Sequence, residues 1–310
     1  MDFFTGGVSF NAARDIPSLK GKVILVTGGN SGLGKQSILD LAKHEPTAIW
    51  LAARGLSRAQ AAADEITAAV PGANIKPLDL DLASFDSIKA AARRFTAESP
   101  RLDILMLNAG IMAVPAGLTA SGYEIQFGVN HVGHALFAKL LTPLLLQTAT
   151  TTPDVRVIVL TSIGHTMAPT GGILFDSLKT TQGNLTTTFT RYGQSKLANA
   201  LFAREMAKRY PQLKTVAIHP GGVSTNLANT IGSGNFVMRG LGAVAHVLMA
   251  SVETGVKNQL WGATAPADTV ESGAYYAPVG KKAGNALAHD DKLAARLWEW
   301  TEKELEGQEL

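Results

Sequence analysis

The chain contains no cysteine. Disulfides, thiolate nucleophiles and thiolate metal sites are therefore excluded, and any redox chemistry must come from a bound cofactor. Charge is also sparse: Asp, Glu, Lys and Arg supply 17% of the 310 residues, with a formal net charge of +3. No basic run is longer than Lys281-Lys282, so no nucleic-acid footprint is visible. Long hydrophobic runs are missing too. The longest apolar stretches, 136–146 and 236–250, are interrupted by Lys139 and Arg239, and neither reads as a membrane span. Residues 1–14 carry Phe3, Phe4 and Phe10 but neither a basic n-region nor a continuous apolar core. That is not a signal peptide, and the expected location is cytoplasmic. Asn184-Leu185-Thr186 matches a glycosylation sequon, which without a secretion signal reads as accidental.

What the chain has in quantity is apolar residues, 46% of the total, enough for a substantial core. Apolar runs rich in β-branched residues fall at 22–27, 48–53, 75–80, 104–107, 155–160 and 215–218, with a short one near 274–277. Helical patterns lie between them. They cover 57–70 before Pro71-Gly72, a stretch from Ser84 with Ile88 and Phe95, and a long region over 123–147 carrying Asn130. A further helix holds Tyr192 and Lys196 and runs on through Leu201 and Met206, and a last one carries Leu293, Leu297 and Trp300. Such alternation calls for right-handed βαβ units, hence an α/β fold: a Rossmann-type doubly wound parallel sheet in three layers. No linker, repeat or low-complexity tract divides it, so residues 1–310 are expected to form a single domain.

Ligands of such sheets bind beyond the carboxyl ends of the strands. Gly28 to Gly34, Arg54, Asn108, Ser162 and Pro220 all follow expected strand ends, so residues far apart in the chain converge on one edge. The turn Gly28-Gly29-Asn30-Ser31-Gly32-Leu33-Gly34 joins a strand to a helix. Glycines there let the backbone approach a pyrophosphate, whose charge meets the free N–H groups at the helix start. Arg54 lies 22 residues after Gly32, at the strand end that faces the adenosine ribose. An acidic residue would suit a free 2′-hydroxyl, whereas an arginine suits a 2′-phosphate, so NADP is expected over NAD, with Arg58 as a second contact. Tyr192 and Lys196 are four apart on a helix and share a face. A cation beside a phenol that ordinarily titrates near pH 10 lowers its pKa by about 1–3 units, which would make Tyr192 an acid–base group near neutral pH.

Taken together, Thr27-Gly28-x-x-x-Gly32-x-Gly34, Asp81-Leu82, Asn108-Ala109-Gly110, Asn130, Ser162, Tyr192-x-x-x-Lys196 and Pro220-Gly221 resemble the short-chain dehydrogenase/reductase family. The resemblance covers about 19–307 and is specifically to the single-domain branch related to retinol dehydrogenases and the WW-domain oxidoreductase. It implies that Tyr192 is the general acid in carbonyl reduction and the base in alcohol oxidation, and that Ser162 hydrogen-bonds the substrate oxygen. Lys196 would hold the nicotinamide ribose and depress the Tyr192 pKa, and Asn130 would position a water that links Lys196 to solvent. The implied NADP(H) contacts are Gly28, Asn30, Ser31, Gly32, Leu33 and Gly34 in the turn, with Arg54, Asp81 and Leu82 near the adenosine. Asn108, Ala109 and Gly110, Tyr192 and Lys196, and Pro220, Gly221, Val223 and Thr225 complete the set. No metal is required, and the partner is a small-molecule carbonyl or alcohol.

Ser162 and Tyr192 are 30 residues apart, longer than in many relatives, so 163–191 is expected to be a substrate-side loop. A second such segment is 222–250. Its apolar residues, Leu227, Phe236, Leu241 and Met249 among them, would form either a lid favouring a lipophilic substrate or an ordinary amphipathic helix. His131 and His134 are read as packing or polar contacts, since a metal site would need further ligands. Sugar-nucleotide epimerases and dehydratases share the Tyr and Lys pair, but too little chain follows Pro220 for their larger C-terminal domain. A dinucleotide sensor without turnover would need none of Ser162, Tyr192 and Lys196. The helices carrying Asn130 and Tyr192 pair in many relatives, so a homodimer is among the expected assemblies.

Overall fold

The computed structural model describes residues 7–223 and 250–310. Its centre is a sheet in the order β3-β2-β1-β4-β5-β6-β7-β8. The strands are β1 (Val23–Thr27), β2 (Ala48–Ala53), β3 (Ile75–Asp79), β4 (Ile104–Leu107), β5 (Arg156–Leu160), β6 (Lys214–Ile218), β7 (Tyr275–Ala277) and β8 (Lys281–Lys282). All neighbours are parallel except β7 and β8. Every residue of β1, β2, β4 and β5 is buried, because helices cover both faces of the sheet at these central strands. Successive β1 side chains go to opposite faces: Val23 and Leu25 join one core with Phe95, Leu136 and Leu201, while Ile24 and Val26 join another with Ile38, Leu41 and Leu260.

After the short α1 (Ala12–Asp15), α2 (Gly32–Ala42) and α3 (Leu56–Ala69) contribute to the second core. α4 (Phe85–Glu98), α6 (Gly133–Ala149) and α7 (Thr188–Arg209) contribute to the first. The strand order reverses between β1 and β4, which both pair with parallel neighbours on either side of that point, and a crevice opens there.

Three features depart from the sequence expectation. The helix expected over 123–147 is interrupted: α5 (Ile125–Phe127) leads into a π turn at Gly128–Val132 before α6 begins. A helix that the pattern left unassigned, α8 (Val252–Thr264), packs beside α2. Its glycines at 255 and 262 lower helix propensity, and its buried Asn258 and Gln259 blur the apolar stripe that would have announced it. The two-residue β8 is too short to carry a pattern. The last helix, α9 (Asp291–Glu304), is where the spacing of Leu293 and Leu297 placed it. Among the described residues no helix is long and apolar enough to cross a membrane. The proposed lid falls almost wholly on 224–249, outside the described residues.

Candidate active site

The crevice begins at the glycine turn between β1 and α2. Gly28 has φ +67, and a Cβ on Gly34 would stand 2.3 Å from the Gly28 carbonyl oxygen, so side chains at these positions would strain or block the turn. Ser31 caps α2 without a side-chain bond to it, which leaves the first-turn N–H groups directed to the crevice. The turn is fastened to β4. The backbone N–H groups of Asn108 and Ala109 both donate to Thr27 Oγ1 at 3.0 Å, and Asn108 Nδ2 donates to the Thr27 carbonyl at 2.8 Å.

Because Thr27 Oγ1 already accepts two N–H groups, its own proton goes to His134 Nε2, 2.8 Å away. His134 then carries its proton on Nδ1 and donates it to the Asn130 carbonyl at 3.0 Å. The ring is neutral: burial pushes its pKa down to about 4, and Lys196 adds to the effect. His131 contacts Thr301 Oγ1 at 3.2 Å and packs edge-on to Phe127 and Phe202, as expected of a packing histidine; burial pushes it down to about 3.

Asn130 lies within the π turn and is fully buried. Its Oδ1 accepts from the Ile111 N–H at 2.8 Å, and its Nδ2 donates to the Ile111 carbonyl and to Ser195 Oγ, each at 2.9 Å. A Cβ on Gly110 would stand 3.3 Å from both Asn130 Oδ1 and Lys196 Nζ, so β4, the π turn and α7 meet at Gly110. Lys196 Nζ donates to the Leu160 carbonyl at 3.1 Å and lies 5.9 Å from the Tyr192 ring centroid; burial pushes its pKa down to about 8.

The Tyr192 pKa does not move as the spacing suggested. Burial raises it, and a hydrogen bond with the Ser162 hydroxyl offsets only part of the rise. The physical reason is desolvation of the buried phenol, which the Lys196 ammonium, bonded to the Leu160 carbonyl and 5.9 Å from the ring centroid, does not overcome. Ser162 opens a 3-10 turn, Ile163–Met167, and accepts from the Gly164 N–H at 3.0 Å.

The crevice encloses about 750 Å³. Gly28, Asn30, Ser31, Gly32, Leu33 and Gly34 form one wall. Arg54, Arg58, Asp81 and Leu82 stand at one end, and Asn108, Ala109, Gly110, Tyr192, Lys196 and Pro220 line the rest. Asn130 and Ser162 are not among the lining residues: Asn130 is fully buried, and Ser162 is half-buried. Gly221 and Val223 are outside it, and Val223 pairs with Ala250 instead; Thr225 lies outside the described residues. The motif reading missed an apolar wall made by Ile111, Met112, Val114 and Pro115. Its signal was the uninterrupted apolar run after Gly110. It also missed Gln259 of α8, which donates to Ser37 Oγ at 2.5 Å and to Asn108 Oδ1 at 3.4 Å and so braces the turn from behind. The 163–191 segment is tied to α7 through Gln194, which accepts from the Leu174 N–H at 2.8 Å and donates to Gln182 Oε1 at 3.0 Å.

Residues 22–235 match the family model described as short chain dehydrogenase. The chain is 37% identical to the short-chain dehydrogenase/reductase drtF of Aspergillus calidoustus, over 95% of this chain and 97% of that one. It is 36% identical to human retinol dehydrogenase 13, over 96% and 87% respectively. A crystal structure of an uncharacterized protein from Mycobacterium paratuberculosis superposes with a TM-score of 0.73 at 28% identity, covering 96% of this chain and 97% of that one.

Proposed function

Since the chain belongs to the short chain dehydrogenase family, in its retinol-dehydrogenase-like branch, we propose that it transfers hydride between NADP(H) and the carbonyl or alcohol of a small to medium lipophilic molecule. The observation that carries this reading is the junction at Gly110, where Lys196 and the buried Asn130 meet in the wall of the crevice that Tyr192 also lines. The glycine turn and the open start of α2 fit a pyrophosphate, and Arg54 and Arg58 at the far end fit a 2′-phosphate. Asp81, Leu82 and Asn108 to Gly110 would hold the rest of the dinucleotide.

The bound cofactor would supply the hydride chemistry. The chain's part is to handle the proton at the substrate oxygen. Burial keeps the Tyr192 phenol protonated at neutral pH, the state a donor requires, and Ser162 offers a second hydroxyl to the developing alkoxide. Lys196 keeps a positive charge near the phenol, and Asn130 fixes the π turn beside it. In the oxidising direction Tyr192 must first give up its own proton, and as phenolate it then accepts the proton of the alcohol. The chain would act as one domain with a substrate face built by 163–191; the second expected segment, 222–250, falls almost wholly outside the described residues. The apolar wall from Ile111 to Pro115 supports a lipophilic substrate.

The test is a fluorescence titration with NADPH and, separately, NADH, followed by turnover of a carbonyl panel with wild type and Tyr192→Phe. Tighter NADPH binding, and loss of turnover in the variant with binding intact, are expected. Turnover by Tyr192→Phe at the wild-type rate would remove the acid–base assignment.

A further inference from the structure

Next to Tyr192 lies a buried ion pair that none of the chemistry above uses. Arg191 Nε and Glu124 Oε1 are 3.2 Å apart, with side chains 5% and 0% exposed; the contact is an ion pair without hydrogen-bond geometry, and neither atom has a hydrogen-bond partner among the described residues. Glu124 is anchored around its carboxylate: Oε2 accepts from the Phe127 N–H at 2.7 Å, and its own N–H donates to the Leu178 carbonyl at 2.8 Å. Arg191 reaches further and donates from Nη1 to the Thr186 carbonyl at 3.0 Å. The pair thus joins the start of α5, which leads into the π turn, to the first turn of α7 and to the end of the 163–191 segment.

A second link joins the same two elements one turn along. Ser195 Oγ takes the Asn130 amide at 2.9 Å and itself donates to the Tyr192 carbonyl at 2.7 Å. Residues 191 and 195 are i and i+4 on α7 and share a face. Tyr192 projects about 100° around the helix from that face. Two attachments on one face, a turn apart, fix the rotation of α7 about its axis. A phenol oxygen stands about 9 Å from that axis, so a rotation of about 10° would move it about 1.5 Å. Misplacements of about 1 Å at a reacting centre reduce rates by about a hundredfold.

We infer that Glu124 and Arg191 form a positioning clamp, which sets the rotation of α7 and so aims the Tyr192 hydroxyl relative to Asn130 and Lys196. The inference rests on the reading of Tyr192 as the acid–base group. Desolvation of a buried pair offsets most of its attraction, so replacing both charges by groups of similar shape is often neutral or favourable for stability. A clamp role and a stability role therefore part company in the double variant Glu124→Gln/Arg191→Met, in which Gln keeps the acceptor for the Phe127 N–H.

Wild type and double variant are compared by melting temperature, NADPH affinity, and kcat with NADPH and either decanal or phenanthrenequinone. A 3-fluorotyrosine placed at position 192 reports the ring environment by 19F NMR. The expected result is a melting temperature at or above wild type, NADPH affinity within about twofold, kcat lower by about tenfold or more, and a shifted or broadened fluorine line. Arg191→Lys, which keeps the charge but cannot span both partners, should fall between. Unchanged kcat and an unchanged fluorine line in the double variant would overturn the clamp. Should the double variant not fold, Arg191→Lys decides it by the same two readouts. A wild type that binds NADPH but reduces neither carbonyl counts against the proposed function, whereas the fluorine line still tests the clamp without a substrate.

Discussion

The Thr27 hydroxyl and His134 Nε2 stand 2.8 Å apart, and through that contact the glycine turn and the π turn hold each other. On one side Thr27 accepts the N–H groups of Asn108 and Ala109; on the other His134 donates to the Asn130 carbonyl. Replacing His134 with Phe leaves a buried hydroxyl without an acceptor and a carbonyl without this donor. Each orphaned buried group costs about 1–3 kcal/mol. Urea unfolding of His134→Phe should show a loss in that range or above, together with weaker NADPH binding because the turn is no longer braced. Wild-type stability and affinity in this variant would show that the contact carries no weight.

Acid should destabilise the protein through its buried histidines. His131, His134 and His219 are pushed down to about 3, 4 and 4 by burial, while unfolded histidines titrate near 6.5. Between about pH 6.5 and 4 the unfolded chain binds more protons than the fold. The stability is therefore complete above about 6.5 and is lost as pH falls. Each histidine contributes a slope of about 1.4 kcal/mol per pH unit in that window, so three approach about 4. Glu124, raised by burial, acts in the opposite sense but is a single group. Urea midpoints at pH 7.5, 6 and 5 measure the slope; equal midpoints would refute the assignment of neutral, buried rings.

Much of this was legible in the sequence because the relevant signals are local. β2, at Ala48–Ala53, is a continuous apolar run, and a strand buried on both faces has no other appearance. The Gly28 to Gly34 turn and the Tyr192 and Lys196 spacing announce themselves through glycine and through helical periodicity. What escaped depends on partners distant in the chain. The π turn is held by Asn130 bonding to Ile111 and Ser195, contacts that no periodicity encodes. α8 hides because Gln259 and Asn258 face polar partners inside the protein, so its buried stripe is not apolar. The Tyr192 pKa went the other way because spacing places Lys196 on the right face but does not tell how deeply the phenol is buried.

Arg54 should decide cofactor preference. It lines the crevice with Arg58, next to Gly55, whose N–H donates to Asp79 Oδ1 at 2.8 Å and fixes the loop end. A hydrogen bond to a charged group contributes about 1.5–3 kcal/mol, so Arg54→Gln should weaken NADPH binding by about tenfold to a hundredfold. NADH binding should stay within a factor of about two, since NADH has no 2′-phosphate for the arginine to meet. Paired fluorescence titrations read both numbers. An equal loss for both cofactors would mean that Arg54 supports the loop rather than the phosphate.

Assembly should be governed by α9, which packs on α7, one of the helices expected to pair between subunits. Trp298 stacks on Phe202 at 5.3 Å between ring centroids, and the Arg209 guanidinium lies 5.2 Å from its ring. Trp300 meets Phe127 edge-on at 5.9 Å. Phe202 and Phe127 are thus covered from within the chain. Sedimentation of wild type is expected to give a monomer, or a dimer formed through another surface. Trp298→Ala should cost about 3–5 kcal/mol, the usual loss for a truncated buried aromatic, and should raise self-association by uncovering Phe202. If wild type is a dimer and Trp298→Ala dissociates it, then α9 belongs to the subunit interface and does not shield the helices from one.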